Sequence, residues 1–137
     1  MIYIKTNSIN YFYVTLKESS NIAASGGTPF YLFELYNQSE REYKYVYPVL
    51  YSSTSRFDLL KLTVSGTGQN LTAGTIDLKS GTHYDYNVYE KNSNVELYAN
   101  STDHKVESGI MTVSGTTTQL FDVYSGSTNN FNIYYNN

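Results

Sequence analysis

The chain is predicted to fold as an all-β, antiparallel β-sandwich of about seven strands, with extended terminal arms or extra edge strands. Three observations carry this prediction. Apolar and polar residues alternate with period two in seven separate segments. Short clusters of Gly, Ser, Thr and Asn separate those segments and supply turn chemistry. No segment repeats its apolar residues at helical spacing over three turns. At 137 residues the chain suits one domain with a self-sufficient core.

The strands follow in order. In Tyr11–Glu18, the residues Phe12, Val14 and Leu16 share a face, and Tyr13, Thr15 and Lys17 take the other. In Phe30–Asn37, Tyr31, Phe33 and Leu35 point inward around an outward Glu34. In Glu42–Val49, Tyr43, Tyr45 and Tyr47 oppose Glu42 and Lys44. Pro48 then removes a backbone donor, which suits an edge strand or a strand end. Phe57–Ser65 sets Leu60, Leu62 and Val64 in a row. Thr75–Lys79 offers Ile76 and Leu78, and His83–Glu90 offers Tyr84, Tyr86 and Val88. Glu107–Ser114 offers Met111 and Val113, with the facing of Ile110 left open. The expected organisation is an N-terminal strand or arm over residues 1–10, a sandwich over 11–114, and a C-terminal strand or arm over 115–137. The two ends are expected either to extend their own sheet or to add a strand to a neighbour's.

Composition excludes several classes. The net charge of −3 argues against a nucleic-acid partner held by bulk electrostatics. With no cysteine, neither a disulfide nor a thiolate metal site can form. No apolar run approaches the roughly 20 residues that span a bilayer, so no membrane partner is expected. The start "MIYIKTNSINYFYVTLKE" lacks the basic end, unbroken apolar stretch and cleavage site of a secretory signal. There are 16 tyrosines and no tryptophan. Tyrosine suits the half-buried surface of a strand and keeps a polar tip for water or a partner.

The stretch "LKSGTHYDYNVYE" holds the most local information. Leu78 ends one strand facing the core, Ser80-Gly81 turns the chain with Gly81 free to adopt a positive φ, and Tyr84 begins the next strand. This resembles the corner of fibronectin type III and other immunoglobulin-like domains, where a leucine, a tight turn and a tyrosine recur. The resemblance implies that the Tyr84 hydroxyl bonds back to the turn backbone. Ser80 stands where those domains often have proline, and their buried tryptophan and disulfide are missing. Leu78, Gly81 and Tyr84 are therefore read as a structural corner. His83, Asp85 and Asn87 are read as the solvent face of the same strand.

No catalytic constellation is legible. His83 and Asp85 lack a nucleophile on a supported turn, and a metal site would need ligands beyond His83 and His104. "GTGQN" at 66–70 leads to a strand and not to a phosphate-binding helix. The acids Asp58, Asp77, Glu90 and Glu107 do not have calcium-loop spacing, and no pair of carboxylates is singled out for glycoside hydrolysis. Neither a cofactor nor an enzymatic activity is expected.

The order of motifs along the chain is more specific than any one of them. "MIYIKTN" is followed by "TPFYLFELYNQSEREYKYVYP", "SRFDLLKLTVSG", "NLTAGTIDLKSGTHYDYNVYE", "VESGIMTVSG" and a Tyr/Asn-rich end. This series resembles a family of small virion proteins from tailed phages of Bacteroidetes, including crAss-like phages. The resemblance implies an immunoglobulin-like auxiliary or decoration protein of the capsid, assembled in the bacterial cytoplasm and carried in the virion. The implied partners are the major capsid protein or other virion proteins, together with repeated copies of the chain itself. Ile2, Tyr3, Tyr124, Phe131, Tyr134 and Tyr135 in the two ends are the expected assembly contacts. Two other readings stay open: a tail, fibre or head–tail connector component, and a carbohydrate-binding module using outward tyrosines such as Tyr13, Tyr36 and Tyr89.

Overall fold

A computed structural model describes residues 1–54 and 56–115. Nine strands are formed among them: β1 (Ile2–Lys5), β2 (Ser8–Val14), β3 (Phe30–Asn37), β4 (Glu42–Val46), β5 (Val49–Ser53), β6 (Asp58–Val64), β7 (Thr75–Ile76), β8 (Thr82–Lys91) and β9 (Lys105–Ser114). A 3-10 turn (Lys17–Ser19) and one α-helical turn, α1 (Asn21–Ala24), lie between β2 and β3. The strands make two sheets. One has the order β1-β9-β8-β3-β4; the other has the order β2-β6-β5, with β7 beside β6. All ladders are antiparallel except β1 with β9 and β7 with β6.

The two strands beyond the expected seven have clear causes. The run expected over Glu42–Val49 is broken at Tyr47-Pro48, because proline cannot donate to a ladder. β4 stays on the five-stranded sheet, and the chain crosses to the other sheet as β5. β1 is the second. Ile2 and Ile4 point inward and are 5% and 1% exposed, while Tyr3 points outward. Alternation over four residues therefore makes Met1–Lys5 a strand of its own sheet, not a free arm. The boundary expected after Asn10 falls inside β2. Between β1 and β2 the chain changes sheets in two residues, with Asn7 in the left-handed region at φ 53°. The Asn10 side chain holds the crossing: its Oδ1 accepts from Lys5 N at 2.9 Å and its Nδ2 donates to Lys5 O at 3.0 Å.

The core lies between the sheets, and most of the expected inward residues fill it. Phe12, Val14, Leu16, Phe33, Leu35, Leu60, Leu62, Val64, Ile76, Leu78, Tyr84, Tyr86, Val88, Met111 and Val113 are all buried in one cluster. Aromatic rings meet between the sheets. Phe12 meets Phe33 edge-on at 5.9 Å, and Phe33 stacks on Tyr86 at 5.8 Å. Ile110 is 42% exposed and faces out. In β4, Val46 enters the core, and Tyr43 and Tyr45 stand on the outer face opposite Tyr36 and Glu34.

Gly109 gives a direct test of this packing. A Cβ there would lie 2.9 Å from two atoms of the Tyr86 ring and hydroxyl. Tyr86 cannot retreat, because Phe33 stacks on it and its hydroxyl donates to Glu107 Oε2 at 2.8 Å. Gly109→Ala is expected to destabilise the fold by about 2 kcal/mol, seen as a lower urea midpoint with an unchanged slope.

Candidate interaction surfaces

The corner between β7 and β8 forms around a buried tyrosine. Leu78 is buried, Gly81 takes φ 75°, and Tyr84 is fully buried. Lys79 N donates to the Tyr84 hydroxyl at 3.3 Å, and Gly81 N donates to Val113 O at 2.8 Å. The tyrosine thus reaches back across the turn that precedes it and tethers that turn to the sheet. Tyr84→Phe leaves Lys79 N without this partner and is expected to cost about 1 kcal/mol. An unfolding midpoint equal to wild type would show that the hydroxyl contributes nothing.

The outer face of the five-stranded sheet is polar and aromatic. His83, Asp85 and Asn87 stand on it, as the alternation requires, but each is engaged locally. His83 Nδ1 lies 3.1 Å from Thr112 Oγ1, Gln38 donates to Asp85 at 2.7 Å, and Asn87 donates to Glu34 at 3.1 Å. No group of three or more His, Cys, Asp or Glu converges on a common point among the described residues. Beside these groups run Tyr36, Tyr43 and Tyr45, with ring centroids 4.6 Å apart for the first pair and 6.4 Å for the second. The Tyr45 hydroxyl donates to Glu34 at 3.1 Å. Burial, then the neighbouring Glu34 carboxylate, pushes its pKa up to about 12. This phenol is a fixed hydrogen-bond donor and not an acid at physiological pH. Tyr43 is the most open member of the row at 56% exposure.

The four-stranded sheet shows a second aromatic strip on its own outer face. Tyr11 meets Tyr51 edge-on at 5.1 Å, and Tyr13 meets Phe57 in the same way at 5.1 Å. All four rings are exposed, and Ile9 extends the strip. The alternation of β2 foretells its outward tyrosines. The pairing with Tyr51 is not legible in the sequence, because no alternation marks Val49–Ser53 as a strand.

Two buried charges lie at one end of the sandwich, and neither was assigned a role from the sequence. Lys91 is 5% exposed, and its ammonium meets Asp103 at 2.6 Å and Glu96 at 3.0 Å. The same ammonium lies 5.5 Å from the centre of the Tyr98 ring. Tyr47 donates its hydroxyl to Glu96 O. These bonds hold the segment between β8 and β9 against the sheet face that carries Leu32, which is fully buried. No helix forms in 92–101. Glu90, on the opposite side of the strand, reaches α1. Its carboxylate accepts from Ser20 Oγ at 2.8 Å, Asn21 N at 2.9 Å and Ile22 N at 2.9 Å. The last two are backbone donors that a helical turn leaves unpaired. The sequence signal is a pair of adjacent opposite charges at the end of a strand whose alternation sets Glu90 on the same side as Tyr84, Tyr86 and Val88.

The expected assembly contacts divide into three groups. Ile2 is corrected: its side chain is in the core, because the parallel pairing of β1 with β9 sets it opposite Met111. Tyr3 is 73% exposed on the outer face of the five-stranded sheet. Tyr124, Phe131, Tyr134 and Tyr135 lie outside the described residues. Of the outward tyrosines named for sugar stacking, Tyr13 is open, whereas Tyr36 and Tyr89 are half-buried. Comparison of the chain with family models, with curated proteins and with solved structures finds no match.

Proposed function

We propose that the protein is a non-enzymatic structural protein of a phage virion, a head decoration or auxiliary capsid protein that binds the major capsid protein in many copies. The observation that carries this reading is the display of aromatic side chains on both outer faces of the sandwich. Tyr3, Tyr36, Tyr43 and Tyr45 occupy one face, and Tyr11, Tyr13, Tyr51 and Phe57 the other. Tyrosine and phenylalanine are enriched in protein interfaces, where a large rigid ring adds contact area at little entropic cost. A rigid body with two such faces suits a protein that lies between neighbours. The order of motifs along the chain supports the same reading. The strand order also supports an immunoglobulin-like assignment. β9, β8 and β3 stand where such domains place G, F and C, and β2, β6 and β5 where they place B, E and D.

The test is quantitative mass spectrometry of purified virions against the major capsid protein. A decoration protein is expected at a copy number comparable to that of the capsid subunit. A few copies per particle would remove this role and favour a tail, fibre or connector component. A carbohydrate-binding reading draws on one feature, the Tyr36–Tyr43–Tyr45 row beside Glu34 and Asp85. Such a row can stack on sugar rings while the carboxylates accept hydroxyl donors. Glycan-array binding that Tyr43→Ala abolishes would favour it.

A further inference from the structure

Among the described residues, the sandwich is open along one corner, and β2 is the outermost strand of its sheet and pairs on one side only, with β6. β1 covers β9 from Met111 to Ser114. Among the described residues, nothing pairs with the edge of Lys105–Ile110 that faces away from β8. Between these two edges lies a groove of about 490 Å³. Ile2, Val14 and Tyr86 form its buried apolar floor, with Tyr13 and Phe57 on its rim. Its one charged lining side chain, Glu107, is engaged by the Tyr86 hydroxyl at 2.8 Å. A free strand edge presents unpaired N–H and C=O groups. An apolar groove beside it accepts the alternate side chains of an added strand.

We propose that Phe131–Tyr135 of the same chain docks in this groove as an added strand, with Phe131, Ile133 and Tyr135 toward the floor and Asn132 and Tyr134 outward. The run "FNIYY" alternates correctly and carries no charge, which matches the apolar floor. Its reach also fits. The described chain leaves the sandwich at Gly115, at the end of β9 away from the groove. The path back from Ser114 to Glu107 is about 24 Å. A coil of the length of Gly115–Asn130 has an end-to-end distance of about 22 Å. When connector and span match, the effective concentration of the tethered segment is on the order of millimolar. That favours the chain's own segment over one from a second copy. The other alternating run, Leu120–Tyr124, is tethered too closely: Gly115–Gln119 spans at most about 18 Å. The proposal is independent of the virion reading.

The test compares hydrogen exchange in the full chain and in Ile133→Asp, together with the sedimentation mass of each. The outward amides of Glu107–Ile110 are expected to exchange at least about 10-fold faster in the variant, with both proteins monomeric. Equal exchange in the two proteins overturns the proposal. A wild-type dimer that Ile133→Asp dissociates also overturns it, and assigns the groove to a second copy of the chain.

Discussion

Lys91→Ala is expected to cost about 3 kcal/mol, as much as emptying a large core site. The ammonium is almost wholly inside the protein and is held by Asp103 and Glu96. Removing one partner of a buried ion pair leaves the other charge without compensation, and that penalty dominates. Asp103 takes most of it, because its side chain is 15% exposed and it also accepts from Asn100 N at 2.7 Å. Glu96 is 43% exposed and regains water readily, which keeps the cost at the lower end of the range. Lys91→Met separates charge from packing. It restores the apolar stem, so a comparable loss in the Met variant assigns the effect to the charge. Recovery close to wild type assigns it to the stem. Chemical unfolding of both variants measures the difference, and the released segment between β8 and β9 should become the first site of proteolysis.

The same residues show how far sequence reasoning reached. Period-two alternation located the core face of β2, β3, β6, β8 and β9, because each of those strands buries one side and leaves the other to solvent. It was ambiguous where both sides are covered. Leu32 is fully buried although it lies on the outer face, and no local pattern announces that burial. It also failed where a strand is too short for a period to show. β5 is exposed along its whole length and ends in Ser52 and Ser53, so no alternation of buried and polar residues marks it. Its ladder to β6 is a long-range fact. The corner of Leu78, Gly81 and Tyr84 was legible because all its parts lie within seven residues. The two aromatic faces were only half legible, since pairs such as Tyr11 with Tyr51 join residues forty positions apart.

Glu90→Ala is expected to cost about 3 kcal/mol and to flatten the acid limb of the stability profile. The carboxylate is the common acceptor for Ser20 Oγ, Asn21 N and Ile22 N. Alanine leaves three donors of one helical turn without that acceptor, and each half-buried orphan carries a penalty of about 1 kcal/mol. Ser20 also caps the turn by accepting from Ala23 N at 3.0 Å, so the loss spreads to α1 and its neighbours. The pH dependence follows from the charge. Burial opposes ionisation of Glu90, but the hydrogen bonds from Ile22, Asn21 and Ser20 outweigh it and hold the pKa below the ordinary 4.5. Asp103 behaves alike: burial raises its pKa, and the bonds from Lys91 and Asn100 bring it below 3.8. A lowered folded-state pKa gives stability that is complete above the unfolded-state value and is lost as pH falls through the folded one. The wild type should therefore lose stability progressively below about pH 4.5. Glu90→Ala should start lower and fall less steeply in that window, because the Glu90 contribution is gone while those of Asp103 and of the exposed Glu40, which Lys79 holds low, remain. Parallel acid limbs for the two proteins would show that the carboxylate at Glu90 is not what holds α1 to the sandwich.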